Sequence, residues 1–370
     1  MEIIRHRSRL KNTLRKLVQG GELSVGFLGG SITDARPRHN WPEAVIAWLV
    51  ERYPGVSIRV ENAAIGATGS ELAVYRAERD ILQRKCDLVF VEYAVNDYYV
   101  PRERRAQTRE GLLRKLLADG TSDVVLTYTY NQDMYEDMAN RKTPESISDF
   151  EQLAEHYGLG SVWMGLHAWQ EVARGMMRWE EWLPDGLHPT SRGSLCYAQS
   201  VIGFLERELG AGGQTVDAAC EAERITLPVP LNPGNWENGW TLDLTRIRRE
   251  GPWSLRRWPH LEWIDQCLVT SAIGSRLCFS FQGRGFTLGL DFGTLSADFR
   301  YRLNGEDWRS VELDRPDWCP EEGWFLAVTV ADDLPAGEHL CEIEVVHGNR
   351  ERCRGSRFQL AFVGIISPGQ

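Results

Sequence analysis

The feature that most constrains this chain is a series of short, nearly continuous apolar runs in its first half, each followed by a helical pattern. Leu23–Leu28 (LSVGFL), Ser57–Val60, Asp87–Tyr93 (DLVFVEY), Asp123–Tyr128 (DVVLTY) and Ser161–Met164 have the length of strands. Between and after them, Pro42–Tyr53, Ser70–Arg84, Thr108–Ala118, Ile147–Tyr157 and Ser191–Leu209 read as helices. A strand that is apolar at successive residues buries both of its faces. Such strands belong to parallel sheets covered by helices on each side. The first half is therefore expected to be a three-layer α/β/α domain with a parallel sheet. Leu10, Leu14, Leu17 and Val18 add an amphipathic helix at the basic N-terminus, packed on that domain with its Arg and Lys in water.

After Gly210-Ala211-Gly212-Gly213 the texture changes. Arg276–Gln282, Phe286–Phe292, Asp298–Leu303, Trp324–Val330 and His339–Val346 are short, often alternating, and separated by Gly, Asp, Asn and Pro turns. This predicts an all-β sandwich of jelly-roll type. The expected domains are 1–213, and 214–370 as a linker segment plus the sandwich. In the Trp- and Pro-rich stretch near 214–265, Trp236, Trp240, Trp253, Trp258 and Trp263 are expected to pack the linker between the domains.

With 370 residues, two cores are more natural than one. A net charge of −10 repels nucleic acid and anionic membranes, so neither is expected as a partner. No apolar stretch has the length of a membrane span or signal peptide, and the eight cysteines form no C-x-x-C and no Cys/His cluster. The expectation is a cytoplasmic protein with reduced thiols and no metal or cofactor. Self-association into a homo-oligomer stays open.

The chemistry collects at strand ends, where open α/β sheets bind ligands. LSVGFL runs into Gly29-Gly30-Ser31-Ile32-Thr33, and two glycines let the backbone turn sharply beneath an exposed serine. Asn62-Ala63-Ala64-Ile65-Gly66 follows the second strand, and Ala94-Val95-Asn96-Asp97 follows DLVFVEY. Asp185-Gly186-Leu187-His188-Pro189 precedes the last helix, with Asp and His close enough in one loop for carboxylate to meet imidazole. Singly, each also reads as turn, cap or surface chemistry.

Together and in order, the four segments resemble the blocks of the SGNH (GDSL-type) hydrolase superfamily, over about residues 22–209. The resemblance implies a flavodoxin-like domain and an ester hydrolase that needs no cofactor. It also implies that Ser31 is the nucleophile, His188 the general base and Asp185 the residue that fixes the imidazole. Ser31 N–H, Gly66 N–H and the Asn96 amide would form the oxyanion hole. A G-x-S-x-G elbow is absent. Two departures stand out: Gly30 occupies the place of the family's usual Asp, and Ala94 that of its usual Gly.

Gly30, Trp41 and Trp182 are candidates to line the substrate pocket, with Trp163, Trp169 and Trp179 near the Asp/His loop. Trp41 reads more readily as core. His156 and His167 read as structural, and Arg76 and Arg79 as helix-surface ion pairs. The expected reaction is hydrolysis of a small acyl ester, acetyl above all, on a sugar or oligosaccharide. The sandwich and the aromatics favour the sugar. A lysophospholipid or short-chain lipid esterase, a sugar acyltransferase and a non-catalytic carbohydrate-binding protein are the rival readings.

Overall fold

The computed structural model describes residues 1–7, 9–34, 39–210, 227–258, 265–321 and 323–368. The chain divides into two compact units, Met1–Glu237 and Asn238–Gln370.

The first unit is built on one six-stranded sheet. Its strands are β1 (Ile4–Arg5), β2 (Gly21–Gly29), β3 (Val56–Asn62), β4 (Leu88–Glu92), β5 (Asp123–Thr127) and β6 (Gly160–Val162). They lie in the order β1-β6-β5-β4-β2-β3, with β2 to β6 parallel and β1 antiparallel to β6. Residues 23–29 of β2 and all of β4 are buried, as strands covered on both faces must be. The helices are α1 (Lys11–Gln19), α2 (Trp41–Arg52), α3 (Ser70–Ala77), α4 (Arg102–Leu117) and α5 (Tyr135–Ala139). They continue as α6 (Glu145–Tyr157), α7 (Met164–Ala173), α8 (Trp179–Trp182) and α9 (Ser191–Leu209). Helix α9 packs with α2, α7 and α8, while α4 packs with α3 and α6. With β3 on one side of β2 and β4 to β6 on the other, connecting helices cover both faces. The chain reverses its direction across the sheet between β2 and β4, so their carboxyl ends open a crevice.

The expected elements are present with shifted ends. The helix expected over Ser70–Arg84 stops at Ala77 and widens into a π-turn at Glu78–Leu82. Helix α4 begins at Arg102, six residues before the expected Thr108, because its charged first turns hide the apolar period. Val18 is 66% exposed rather than part of the buried stripe of α1, whose contact side carries Leu10 and Thr13. Among the described residues no helix is long and apolar enough to cross a membrane.

The break expected after residue 213 falls in 211–226, outside the described residues. The chain that re-enters at Leu227 runs along α4. Leu231 N–H, Asn232 N–H and Asn232 Nδ2 all donate to the buried Glu110 carboxylate, and Arg114 binds Glu237 at 2.6 Å. Trp236 is fully buried in this unit, with its ring 5.8 Å from that of Tyr75 and Arg104 above it at 5.1 Å. Gly111 makes room: a Cβ there would stand 2.6 Å from the Trp236 backbone. Trp236 therefore corrects the expectation of linker packing, since it belongs to the core of the first unit.

The second unit consists of two antiparallel sheets. One runs Trp324–Ala331, Gly285–Phe292, Phe358–Ile366, Cys267–Thr270, Ser254–Arg256, with Trp240–Leu242 also paired to Phe358–Ile366. The other runs Arg309–Val311, Asp298–Leu303, Gly337–Val346, Arg276–Gly283, Arg248–Glu250. Alternation places Leu277, Phe279 and Phe281, and on the neighbouring strand Cys341, Ile343 and Val345, in one core with Phe286, Phe299 and Phe358. The sandwich is thus as expected. Its central strand Phe358–Ile366 is not legible in advance, because it is apolar on both faces and lacks the alternation of its neighbours. Trp240 is 40% exposed, Trp253 packs edge-on to Phe358, and Trp258 lies between Arg256 and Arg357. Trp263 lies outside the described residues.

Candidate active site

Ser31 follows β2 directly, at the sheet's switch point. The Gly30 carbonyl accepts hydrogen bonds from Thr33 N–H (3.1 Å) and Asp34 N–H (3.0 Å), which closes a helical turn around Ser31. A trans peptide points its C=O and N–H in opposite directions, so the Ser31 N–H faces away from that turn. The Ser31 hydroxyl lies 2.9 Å from His188 Nε2.

His188 stands on a loop shaped by its own residues. Asp185 Oδ1 accepts the backbone N–H groups of Leu187 (2.9 Å) and His188 (2.7 Å), which forms an Asx turn. Gly186 takes φ 78°, the left-handed region open to glycine. The other oxygen, Asp185 Oδ2, lies 2.8 Å from His188 Nδ1. Burial acts to raise the Asp185 pKa, but the His188 ring and the two amides outweigh it and hold the carboxyl below its ordinary value. An ionised carboxylate only accepts, so Nδ1 carries the ring proton and Nε2 is left to accept from Ser31. His188 and Asp185 are about half exposed, so the site opens to solvent. The cap of α9 is Thr190, whose hydroxyl accepts Gly193 N–H at 3.2 Å, rather than Asp185.

The other two loops converge on the same turn. Ala63 and Ile65 extend along the end of β2 by donating to Phe27 O (2.9 Å) and Gly29 O (3.0 Å), which carries the Gly66 loop along the strand that leads into Ser31. Ala67 then adopts φ 58°, a conformation unusual for a residue with a Cβ and a sign of a constrained loop. The Asn96 side chain lies directly on Gly30: a Cβ at position 30 would come within 2.5 Å of Asn96 Cγ. Gly30 is itself buried, so its contribution is space for Asn96 rather than contact with a ligand. Ala94 is fully buried, and its carbonyl accepts the Ser146 hydroxyl at 2.5 Å.

Trp41 and Trp182 do not line the pocket. Both are fully buried. Trp41 packs against Phe27 and Phe90 with its Nε1–H on Thr33 Oγ1 at 3.0 Å. Trp182 packs against Tyr130, Trp179 and Tyr197, and its carbonyl accepts Thr190 N–H at 2.9 Å. They support the Ser31 and His188 loops from behind, because large indoles gain more by full burial than at an open rim.

Asp97, whose segment the sequence also read as a cap, and two residues it did not single out, Arg109 and Glu92, complete the setting. Asp97 is buried next to Asn96 and accepts Ser70 N–H (2.9 Å), so it caps α3 from a separate loop. Its other oxygen meets Arg109 Nε at 2.8 Å. Arg109 is fully buried, donates to Ser146 O and Oγ and lies over the Phe150 ring at 4.0 Å. This pair ties the Gly66 loop to the Asn96 loop. Beneath the Ser31 turn, the buried Glu92 carboxylate accepts the hydroxyls of Thr33 (3.2 Å) and Thr129 (2.7 Å). A carboxylate closing an otherwise apolar strand was the available signal for Glu92.

Comparison with known proteins agrees with the fold. Residues 27–195 match the GDSL-like Lipase/Acylhydrolase family. The match supports a carboxylic ester hydrolase in the first unit. The whole two-domain fold is similar to the crystal structure of a two-domain esterase (CEX) active on acetylated mannans. The TM-score is 0.81 at 22% identity, over 98% of this chain and 95% of that one. The same esterase co-crystallised with mannopentaose gives a TM-score of 0.81 at 22% identity, covering 99% and 97%. An acetylxylan esterase from Geobacillus stearothermophilus aligns over 52% of this chain and 96% of its own, at 23% identity and a TM-score of 0.41. No curated protein sequence matches the chain.

Proposed function

We propose that this protein hydrolyses small acyl esters, acetyl above all, on a sugar or oligosaccharide, through an acyl-enzyme on Ser31. The observation that carries the reading is the continuous hydrogen-bonded line from Ser31 Oγ through His188 to Asp185. Ser31 Oγ attacks the ester carbonyl while its proton passes to His188 Nε2. The imidazolium that forms is stabilised by Asp185 through Nδ1–H. Ser31 N–H, Gly66 N–H and the Asn96 amide receive the oxyanion, each such donor being worth about 3 kcal/mol in the transition state. Collapse of the tetrahedral intermediate breaks the ester C–O bond, and His188 returns the proton to the leaving alcohol. Water then enters by the same base, its oxygen joins the acyl carbon, and acid and free Ser31 are released.

The sugar is supported by likeness in both domains to an esterase described as active on acetylated mannans. The half-exposed His188 and Asp185 suit a short acyl group carried on a bulky alcohol. Two panels test the reading. Across p-nitrophenyl esters of rising chain length, activity is expected to fall steeply after acetate. Acetylated manno- and xylo-oligosaccharides should release acetate, and Ser31→Ala should abolish both activities. Higher activity on long acyl chains would favour the lipid esterase, and transfer of acetyl to added sugar in preference to water would favour the transferase.

A further inference from the structure

Glu92 has no place in the proton path, yet it is the carboxyl nearest the foundations of the nucleophile turn. It closes β4, where it stands beside Gly29 in the sheet register, and it is fully buried. Its partners all present protons: the Thr129 hydroxyl at 2.7 Å, the Thr33 hydroxyl at 3.2 Å and the backbone N–H of Gly30. The amide cannot accept, and the Thr33 oxygen already accepts Trp41 Nε1–H. An ionised carboxylate accepts from all three of these groups at once. The Gly30 carbonyl is meanwhile held by Thr33 and Asp34 N–H, so Gly30 is fixed at both its N–H and its C=O. The plane of the next peptide, and with it the direction of the Ser31 N–H, follows.

We propose that Glu92 is the positioning residue of the nucleophile turn, its carboxylate clamping Gly30 and Thr33 so that the Ser31 amide and hydroxyl face the acyl group. This rests on Ser31 being the nucleophile. Burial raises the Glu92 pKa, the bonds from Thr129, Thr33 and Gly30 lower it, and Asp97 raises it again, leaving it pushed up to about 7. The other titratable groups coupled to it are Tyr93, just past the end of β4, and Tyr197 on α9, both negative when ionised. The clamp therefore releases on protonation within the working range of an esterase. Activity at falling pH is then lost in part as Glu92 becomes neutral.

The test is Glu92→Gln in the full chain, which keeps the shape but turns a donor toward donors. With p-nitrophenyl acetate, kcat should fall about 10- to 100-fold, as for a displaced reacting group, with KM little changed. The acidic limb of kcat/KM should be steeper in the wild type than in the variant, which lacks the Glu92 ionisation. Thr33→Val serves where Glu92→Gln fails to fold: it should lower kcat and move the limb to higher pH, and Thr33→Ser should restore both. A folded Glu92→Gln with wild-type kcat and an unchanged limb, or a Thr33→Val with wild-type kcat, would overturn the proposal. Absence of fluorophosphonate labelling at Ser31 in the wild type would instead overturn the nucleophile on which it rests.

Discussion

Gly30 lies directly against the Asn96 side chain, and a single methyl group there should disable the site without unfolding it. In Gly30→Ala the new Cβ would stand 2.5 Å from Asn96 Cγ and 2.8 Å from Nδ2, and closer still to Oδ1. Carbon–carbon contacts relax near 3.5 Å, so Asn96 must retreat by about 1 Å. The backbone at Gly30 has a negative φ that alanine tolerates, so the strain falls on one side chain. Asn96 is only half-buried and turns aside, which limits the stability cost to about 1 kcal/mol. Its lost contact with the oxyanion costs more, about 3 kcal/mol or on the order of 10² in kcat. The assay is a double-mutant cycle on p-nitrophenyl acetate with Asn96→Ala, alongside calorimetric Tm. If Gly30→Ala acts through Asn96, it adds little once Asn96 is removed. Full additivity, or a Gly30→Ala enzyme with wild-type kcat, would refute the reasoning.

Three further outcomes follow from buried groups. Because folding raises the Glu92 pKa from the ordinary 4.5 to about 7, the folded state binds more protons between these values, and stability declines as pH rises through them. Over that window the wild type should lose about 3 kcal/mol relative to Glu92→Gln in urea titrations; equal slopes would contradict this. Arg109→Met leaves Asp97 buried without its partner and should cost about 3–5 kcal/mol, whereas joining it to Asp97→Asn should recover part of the loss. Trp236→Ala empties a fully buried site beside α4 and should lower the stability of the first unit by about 3–5 kcal/mol, read from the urea midpoint.

Much of the first unit was legible because parallel strands buried on both faces leave a strong apolar signature, as in LSVGFL and DLVFVEY. The four loops were legible because each lies immediately after a strand or before a helix. What escaped depends on partners distant in sequence. Trp236 looked like linker because nothing local shows that Gly111, on α4, leaves a slot for it. Arg109 looked like one more charge on a charged helix, and only the fold brings Asp97 and Ser146 to it. Trp41 and Trp182 looked like pocket walls because proximity in sequence does not reveal which face of a loop is wet. Two-residue β1 and the three-residue strands of the sandwich are too short to carry a period.

The central claim is that Ser31 carries the acyl group between substrate and water. Rapid acid quench of the enzyme during turnover of an acetyl ester, followed by peptide mass spectrometry, tests it most directly. The account predicts one acetyl group on the peptide containing Ser31, absent from Ser31→Ala together with the activity. Acetyl found on another residue, or ester hydrolysis that survives Ser31→Ala, would contradict it.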